Sequence, residues 1–243
     1  MQKPNKIFIP IFVITSAICS CSAFAVNGPY LGVSLGYTDA IFNVNQDATA
    51  TITNIPIIGT ITREHQKSFA GIVNGIQGQL VAGYAYDINN FNIAAEITYQ
   101  LPTITQHYQN TEDDSYSYKF SYNYGINFVP GYYITERNLI YLKVGIVRGK
   151  FAGSEIGNDG IAIFDTPFYS NGLNLGIGSG IYLNKHIQLR LEYLFTAYQT
   201  YEAQRNINIV VPPPDNIDVN VNIKTKIQPK MHTFMLGLIY QFD

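Results

Sequence analysis

Residues 187–198 read I-Q-L-R-L-E-Y-L-F-T-A-Y, and this stretch decides the fold. Its side chains alternate, with apolar residues on one parity and Gln, Arg, Glu and Thr on the other, and only Leu194 departs clearly from the pattern. A period of two residues predicts a β-strand with two unlike faces. In a soluble sandwich the charged face meets solvent, whereas in a membrane barrel the apolar face meets lipid and the charged face lines the lumen. One strand is compatible with both architectures.

The start of the chain has the pattern of a secretory signal peptide. Lys3 and Lys6 form a basic start, residues 7–18 form an apolar core, and Ala23 and Ala25 make an A-x-A cleavage site. The apolar core is too short for a membrane-spanning helix. We therefore predict that the mature chain begins immediately after the second alanine of this site.

This prediction divides the chain into a signal peptide at 1–25 and one β-barrel domain at 26–243. Both cysteines, Cys19 and Cys21, fall within the signal peptide, so the mature protein has no disulfide framework. An alternative is a lipoprotein box with a lipidated Cys21. The A-x-A site directly downstream makes that alternative the less favoured one.

The composition favours a membrane barrel over a soluble sandwich. Charged residues make up 13% of the chain, against about 25% in a typical soluble domain. Tyr occurs 19 times, and no stretch reaches the ~18 apolar residues that a spanning helix needs. Without the two lysines of the signal peptide, 13 basic residues stand against 17 acidic ones, a net charge of about −4. No basic run indicates a nucleic-acid surface.

The same alternation recurs in eight segments, and long and short connections alternate strictly between them. The predicted strands are 30–37, 75–86, 91–101, 118–133, 139–148, 172–183, 187–198 and 231–242. The predicted short turns are 87–90, 135–138 and 184–186. The predicted long loops are 43–74, 102–117, 149–170 and 199–229.

An even number of strands places both termini and the three short turns on one side. The predicted fold class is therefore all-β, an eight-stranded antiparallel up-and-down transmembrane β-barrel with long outer loops and short periplasmic turns. Lipid is the expected partner of the apolar face, so no second sheet is needed, and closure leaves no free edge. Aromatic residues are expected at the strand ends. They include Tyr30 at the periplasmic rim and Tyr37, Tyr99, Tyr118 and Phe120 at the outer rim, whereas Tyr124 and Phe128 fall at mid-strand.

This layout resembles the small eight-stranded outer-membrane β-barrels, namely the transmembrane domain of outer membrane protein A, outer membrane protein X and the opacity-type surface proteins. The resemblance covers the whole mature chain and rests on topology and on the closing strand. In these families the barrel-assembly machinery reads an aromatic C-terminal residue and the alternate residues before it. The resemblance implies such a signal here at Leu236, Leu238, Tyr240 and Phe242. Asp243 follows Phe242, which departs from the family pattern.

The polar parity predicts a charge cluster inside the barrel. It places Glu96, Lys143, Arg190 and Glu192 at comparable depths on the third, fifth and seventh strands. Charges buried in a lumen need partners, and two acids can pair with two bases. The cluster forms either a gate on a narrow conduit or a structural plug, and we favour the plug because an eight-stranded interior is just wide enough for side chains. The glycines expected to leave room for the long side chains are Gly172, Gly176, Gly178 and Gly180.

No catalytic, cofactor or metal site is predicted. The four histidines are scattered, with His65 and His107 in outer loops, His186 in a periplasmic turn and His232 at an outer strand end. Some small barrels are lipid-modifying enzymes that need a His beside a Ser. The nearest approach here, His232 and Thr233, has no identified acid partner. We therefore expect a protein that is not an enzyme.

The last long loop carries a further alternation. Residues 206–211 and 217–227 alternate on either side of a turn at 212–215. At ~3.3 Å per residue these arms outrun the ~25 Å apolar band of a membrane barrel. We predict that the seventh and eighth strands continue outward as a β-hairpin, with a shorter companion in the first loop. The edges of these hairpins are either sites for β-augmentation by a partner or parts of a variable surface loop.

The resemblance leaves three functions open. The one we favour is a non-enzymatic, surface-exposed structural or adhesion protein of the bacterial outer membrane, with both mature termini periplasmic. The second is a narrow porin-like channel for small solutes or ions, and the third, with the least support, is a lipid-modifying enzyme. The expected partners are outer-membrane lipid, the barrel-assembly machinery and a host or environmental ligand at the outer loops, with no nucleic acid.

Overall fold

The computed structural model describes residues 27–55, 59–102, 104–109, 115–156, 162–210 and 218–242. None of these residues forms a helix long and apolar enough to cross a membrane. Ten antiparallel β-segments cover almost all of them. In chain order they are β1 (Gly28–Ile55), β2 (Gly59–Ile88), β3 (Phe91–Pro102), β4 (Ile104–Gln109), β5 (Ser115–Tyr133), β6 (Asn138–Ile156), β7 (Ala162–Tyr182), β8 (Ile187–Tyr198), β9 (Tyr201–Val210) and β10 (Asp218–Gln241).

Three predictions fall outside the described residues. They are the signal peptide with its cleavage site at Ala23 and Ala25, the hairpin turn at 212–215, and the position of Asp243.

The ten segments form one barrel of eight strands. β4 follows β3 after a single residue and β9 follows β8 after two, so each pair is one strand with an interruption. Each strand pairs with the next along the chain, and β1 closes the barrel against β10, with Tyr30 opposite Gln241. The all-β, up-and-down antiparallel fold predicted from the alternation is confirmed.

The three short turns lie at one end of the barrel, which we call the turn end. They follow β2, β5 and β7, as predicted, and the start of β1 and the end of β10 lie there too. The turn between β2 and β3 has two residues, and Asn89 adopts a left-handed φ of 53°, which Asn tolerates. We call the opposite end the loop end.

A continuous apolar band covers the outward face of the barrel. Leu35 is 68% exposed, Ile76 75% and Ile146 65%, and all eight barrel strands contribute large apolar side chains of this kind. Soluble monomers rarely expose apolar patches larger than a few hundred Å². An outward apolar band of this kind is what a transmembrane barrel presents to lipid hydrocarbon, and closure of the barrel satisfies the backbone groups that such an environment would leave unpaired.

The strands continue well beyond the apolar band at the loop end. β1 pairs with β10 from Tyr30 opposite Gln241 to Thr53 opposite Asp218. Above the band the wall divides, because among the described strands β4 pairs only with β5 and β9 only with β10. Two four-stranded sheets result, β2-β1-β10-β9 and β4-β5-β6-β7. We call this part of the molecule the outer sandwich.

Each long strand keeps its two-residue period but exchanges its apolar and polar faces at the end of the band. On β1, Leu35 points outward, whereas Phe42 and Val44 are buried inside. On β6, Ile146 points outward, whereas Phe151 is fully buried. Apolar residues thus face outward within the band and face the interior above it, which is the exchange expected where a barrel passes from lipid into water.

Three of the predicted long loops are wrong over most of their length. Residues 43–74, 102–117 and 149–170 are largely β-strand. The end of an apolar outward face marks the end of the band rather than the end of the strand, because a strand in water needs an apolar face only on its buried side. The expectation that no second sheet is needed is also wrong above the band, where the two sheets enclose a common core.

The outward hairpin predicted in the last long loop is confirmed. β9 pairs with β10 from Tyr201 opposite Ile227 to Val210 opposite Asp218. The companion hairpin forms as well, between β1 and β2. Over the described residues its ladder reaches as far outward as that of β9 and β10, because Thr53 pairs directly with Asp218, where the described part of β10 begins.

A β-bulge changes the facing of β5. Its register with β6 shifts between Phe120 and Tyr122, so Ser121 is an extra residue. One extra residue reverses the parity, and as a result Tyr118 and Phe120 are buried in the interior while Lys119 is exposed. The prediction that Tyr118 and Phe120 belong to the outer aromatic rim is therefore wrong.

The aromatic rims need two further corrections. Tyr30 is only 1% exposed and lies in the lumen rather than at the periplasmic rim. Tyr124 is not at mid-strand, because it pairs with Tyr99 and with Arg148 at the edge of the apolar band. The extension of β5 beyond the band accounts for the second error.

Candidate functional site: the filled lumen

Four charged side chains meet in the lumen. The Lys143 ammonium lies 2.8 Å from Glu96 Oε2 and 2.6 Å from Glu192 Oε1. The Arg190 guanidinium forms an ion pair with Glu96 Oε1. All four are buried, with Lys143 and Glu96 each 1% exposed. The structure thus brings together the four residues that the polar parity places inside the barrel, and we call them the charge cluster.

The strand register allows these side chains to meet. Lys143 of β6 lies opposite Gly176 of β7, and Glu192 of β8 lies opposite Gly178. Because β7 presents hydrogen atoms instead of side chains at these positions, side chains from β6 can cross it to reach β8. Tyr141 does so, since it lies opposite Gly178 and its hydroxyl donates to Glu192 Oε1 at 2.8 Å.

The glycines of β7 make room mainly for neutral side chains, which corrects the prediction that they accommodate Lys143 and Arg190. A Cβ at Gly178 would overlap the Tyr141 ring, and one at Gly180 would overlap the Gln188 side chain. At Gly176 a Cβ would meet Leu194 first and would lie 3.4 Å from Lys143 Cβ. At Gly172 it would meet Ala197 and Tyr198.

Two tyrosines complete the charge cluster, and the sequence analysis missed both. The Tyr30 hydroxyl donates to Glu96 Oε1 at 2.7 Å, as Tyr141 does to Glu192. The Arg190 guanidinium carbon lies 5.0 Å from the Tyr30 ring centre and 5.4 Å from that of Tyr141. Both tyrosines lie on the luminal parity of their strands, which is the signal that could have identified them. Every carboxylate in the cluster therefore has both a cation and a phenol as partners.

A row of amides and hydroxyls lies next to the charge cluster on the side of the loop end. Thr196 donates to Asn174 Oδ1 at 3.1 Å, Asn174 donates to Asn127 Oδ1 at 2.9 Å, and Asn127 donates to Thr98 at 3.1 Å. Gly145 of β6 lies between Asn127 and Asn174 in the register and leaves the gap that they bridge. The row crosses the lumen without leaving any of these amides unpaired.

Aromatic rings fill the interior beyond the amide row. We call this group the outer aromatic core. Phe42 of β1 stacks on Tyr118 of β5 with ring centres 5.0 Å apart, which joins the two sheets of the outer sandwich. Phe151 lies at the centre of the group, within 5.8 Å of four other rings. The members are Phe42, Tyr118, Phe120, Phe151, Phe168 and Tyr198, all at most 3% exposed.

A second apolar cluster closes the lumen at the turn end. It is built from buried residues of β1, β2, β3, β5, β6 and β10, including Leu139 and Ile239 at 2% exposure each. Next to it, Asn92 donates to Asp87 Oδ1 at 2.6 Å and the Tyr133 hydroxyl donates to the same carboxylate at 3.2 Å. Buried side chains of the described residues therefore occupy the lumen in four successive layers.

His65, His186 and His232 lie far apart on the barrel, because His65 pairs with Ala48 near the loop end, His186 lies in a turn at the other end and His232 pairs with Phe195. His232 points outward and its Nδ1 lies 2.8 Å from the Tyr193 hydroxyl, whereas Thr233 points into the lumen and bonds to Thr38. His186 stacks on Tyr240 at the turn end. No group of three or more His, Cys, Asp or Glu side chains among the described residues could hold a metal ion.

The predicted C-terminal assembly signal lies on the lipid-facing side of β10. Its residues alternate outward and are 40–55% exposed. They are Leu236, Leu238, Tyr240 and Phe242. Their reading by the assembly machinery stays a prediction.

Comparison with known families agrees with this architecture. The model of the outer membrane protein beta-barrel domain matches residues 11–242. The chain belongs to this outer-membrane β-barrel family. No sequence of a curated protein matches the chain.

Several solved structures resemble the outer-membrane barrel described here. One is Ail, the attachment invasion locus protein of Yersinia pestis, in complex with the heparin analogue sucrose octasulfate. Its sequence is 14% identical to this chain, and the match covers 88% of this chain and 99% of Ail with a TM-score of 0.39. Neisserial surface protein A is also 14% identical, with coverage of 84% and 99% and a TM-score of 0.36. The outer membrane protein OprG from Pseudomonas aeruginosa is 13% identical, with coverage of 84% and 95% and a TM-score of 0.45.

Proposed function

We propose that this outer-membrane barrel is a non-conducting, non-enzymatic surface protein that presents the outer sandwich to molecules outside the cell. In this proposal the turn end, with both mature termini, faces the periplasm, and the loop end faces outward. This orientation follows the plan of outer-membrane barrels, in which the short connections are periplasmic.

The filled lumen is the observation that carries the proposal. A pore needs a continuous path for water or solute, whereas the charge cluster, the amide row and the outer aromatic core occupy successive levels of this interior. Lys143 is bound between Glu96 and Glu192, so neither acid is free to act as an ion-binding site. These contacts support a structural plug over a gate.

The outer sandwich supplies the surface for recognition. The outward face of β9 and β10 is polar, with exposed Gln204, Asn206, Asn208 and Lys224. Among the described strands, β9 pairs on one edge only, so its other edge offers backbone groups for β-augmentation. A pre-formed sheet loses less conformational entropy on binding than a flexible loop would.

Adhesion by bacteria that lack their own adhesins tests the proposal. One variant lacks residues 203–225 and joins Glu202 to Lys226 through Asn-Gly, since these two residues pair in β9 and β10. The matched variant lacks residues 50–63 and joins Thr49 to Glu64, which pair in β1 and β2, in the same way. We expect one or both deletions to reduce attachment to epithelial cells or matrix proteins at least fivefold.

The controls establish what these results mean. Both variants must retain the heat-dependent change in electrophoretic mobility that marks a folded barrel. Unchanged attachment in both folded variants would refute the adhesion proposal. In planar bilayers we expect no conductance steps from the wild-type protein, and regular steps that change on substitution of Lys143 would contradict the closed lumen. Altered acyl patterns of surface lipid after expression would instead support a lipid-modifying enzyme.

A further inference from the structure

A groove runs along the outward surface of the barrel where the apolar band ends. It has a volume of about 830 Å³, crosses β5, β6, β7 and β8, and is bordered by one residue each of β3 and β10. Its floor is apolar and belongs to the lipid-facing band, whereas its rim on the side of the loop end is polar. The floor includes Ile97, Ile126, Ile146, Leu173 and Ala197. The rim includes Tyr124, Arg148, Asn171, Gln199 and Gln228.

A basic and aromatic row lies directly above this groove. Tyr122 of β5 pairs with Lys150 of β6, which pairs with Tyr169 of β7, so the three side chains stand side by side on the outward face. The two tyrosine hydroxyls are 3.4 Å apart, and the Lys150 ammonium lies 5.9 and 5.8 Å from the two ring centres. The Arg148 guanidinium, one pair closer to the lipid, lies 5.3 Å from the Tyr169 ring centre.

These two cations have no carboxylate partner in the described part of the chain. Lys143 and Arg190 pair with acids in the lumen, and Lys226 lies 3.7 Å from Glu202. Neither Arg148 nor Lys150 forms a salt bridge with any described residue. The hydrogen bond with Tyr122, followed by the nearby positive charges of Lys150 and Arg148, lowers the pKa of Tyr169.

We propose that the groove, together with Arg148 and Lys150, binds a phosphorylated lipid of the leaflet around the loop end. The apolar floor receives an acyl chain, and the two cations bind a phosphate at the level where the lipid headgroup begins. Arg offers a planar fork of donors that matches phosphate, and Lys adds a second charge. Tyr side chains suit the boundary between hydrocarbon and headgroup, where Tyr122 and Tyr169 stand.

The charge on the ligand follows from the charge on the site. An uncharged or zwitterionic lipid would gain contact with the floor but would not neutralise two unpaired cations. An inorganic phosphate would satisfy the cations but would leave the apolar floor unused. Only a ligand with both an acyl chain and a phosphate complements the apolar floor and the two cations together. The assignment to the outer leaflet depends on the orientation given under Proposed function, whereas the binding itself does not.

Lipid binding in solution tests the inference independently of cellular orientation. The full-length mature protein is folded into dodecyl maltoside micelles and titrated with bis-phosphorylated lipid A, with its dephosphorylated form and with inorganic phosphate. Native mass spectrometry counts the bound lipids. We expect the bis-phosphorylated lipid to bind at least tenfold more tightly than the dephosphorylated one.

Matched variants assign the effect to the site. Arg148→Gln/Lys150→Gln should lose about tenfold in affinity for the bis-phosphorylated lipid. Arg205→Gln/Lys224→Gln removes the same two charge types from the distal hairpin and should change that affinity less than twofold. Both pairs are surface substitutions, and the mobility shift checks folding. Equal binding by the Arg148→Gln/Lys150→Gln variant and wild type, or by the two lipids, would overturn the inference, as would full competition by millimolar inorganic phosphate.

Discussion

Replacement of Lys143 by Met is the sharpest test of the charge cluster. The substitution keeps the length of the side chain and removes its charge. Lys143 contacts both acids, at 2.8 Å from Glu96 and 2.6 Å from Glu192. After the replacement Glu96 keeps Arg190 and Tyr30, but Glu192 keeps only the hydroxyl of Tyr141. The cluster changes from neutral to a net charge of −1 in a buried setting.

The expected magnitude follows from the cost of an unpaired buried charge. Removing one partner of a buried pair typically destabilises a protein by about 3–5 kcal/mol. We expect Lys143→Met to lower the free energy of unfolding by about 3–4 kcal/mol on that basis. Adding Glu192→Gln removes the charge left without a cation, so the double variant should recover roughly 2 kcal/mol relative to the sum of the single changes.

Unfolding by urea in lipid vesicles measures these energies. The chain has no Trp, so far-UV circular dichroism and the electrophoretic mobility shift report folding. Lys224→Met is the control, because Lys224 is exposed on the distal hairpin and lies outside both the charge cluster and the proposed lipid site; we expect a change below about 0.5 kcal/mol. The reasoning would be refuted if the effects of Lys143→Met and Glu192→Gln on the free energy of unfolding were additive. It would also be refuted if Lys143→Met lowered that free energy no more than the control does.

Three further changes test other parts of the structure. Phe151→Ala removes the central ring of the outer aromatic core and should cost about 3–5 kcal/mol in urea unfolding, and a cost below about 1 kcal/mol would contradict the packing. Deletion of Ser121 removes the extra residue and leaves strict alternation, with Phe120 still inside and Lys119 still outside, so the fraction of protein that folds in vesicles should stay within twofold of wild type; a severalfold fall would argue against the register shift. Phe242→Ser should reduce the amount of folded barrel in the outer membrane severalfold without changing folding of the purified chain in detergent, and equal amounts in cells would count against an assembly signal at this position.

The barrel and the charge cluster could be predicted from the sequence because both depend on local parity. Two-residue alternation tells which side chains share a face, and a lumen of eight strands brings every inward residue close to others. The four residues of the charge cluster come from three separate strands. Parity alone is still enough to place Glu96, Lys143, Arg190 and Glu192 in one interior. No long-range information is needed for that step.

The length of the strands could not be predicted from the same signal. The apolar face of β1 changes from outward to inward between Leu35 and Phe42. A pattern matched to lipid therefore ends there, although the backbone pairing continues to Ile55. The strand continues beyond this point, but its expected surroundings change from lipid to water. A rule that expects apolar residues on the outward face therefore fails to detect the rest of the strand.

Parity fails at two positions, Tyr118 and Phe120, and at a third, Tyr30, parity is right but the residue type misleads. Tyr118 and Phe120 change face because Ser121 forms a bulge, and a bulge leaves no clear signal in the local composition. Tyr30 has the luminal parity, but its ring and hydroxyl suit a membrane rim as well as a buried hydrogen bond. In the structure Tyr30 lies in the lumen because its hydroxyl donates to Glu96, which is 66 residues away along the chain.

The unbroken passage of β1 and β10 from the lipid into the outer sandwich has a mechanical consequence. A pull on the distal tip acts along these strands, while their ladder of hydrogen bonds runs across them. Such a load shears many bonds at once instead of opening them one after another. On the adhesion proposal, a cell held under flow would transmit tension straight to its envelope through β1 and β10, whose described residues stay paired without a break as far as Thr53 and Asp218.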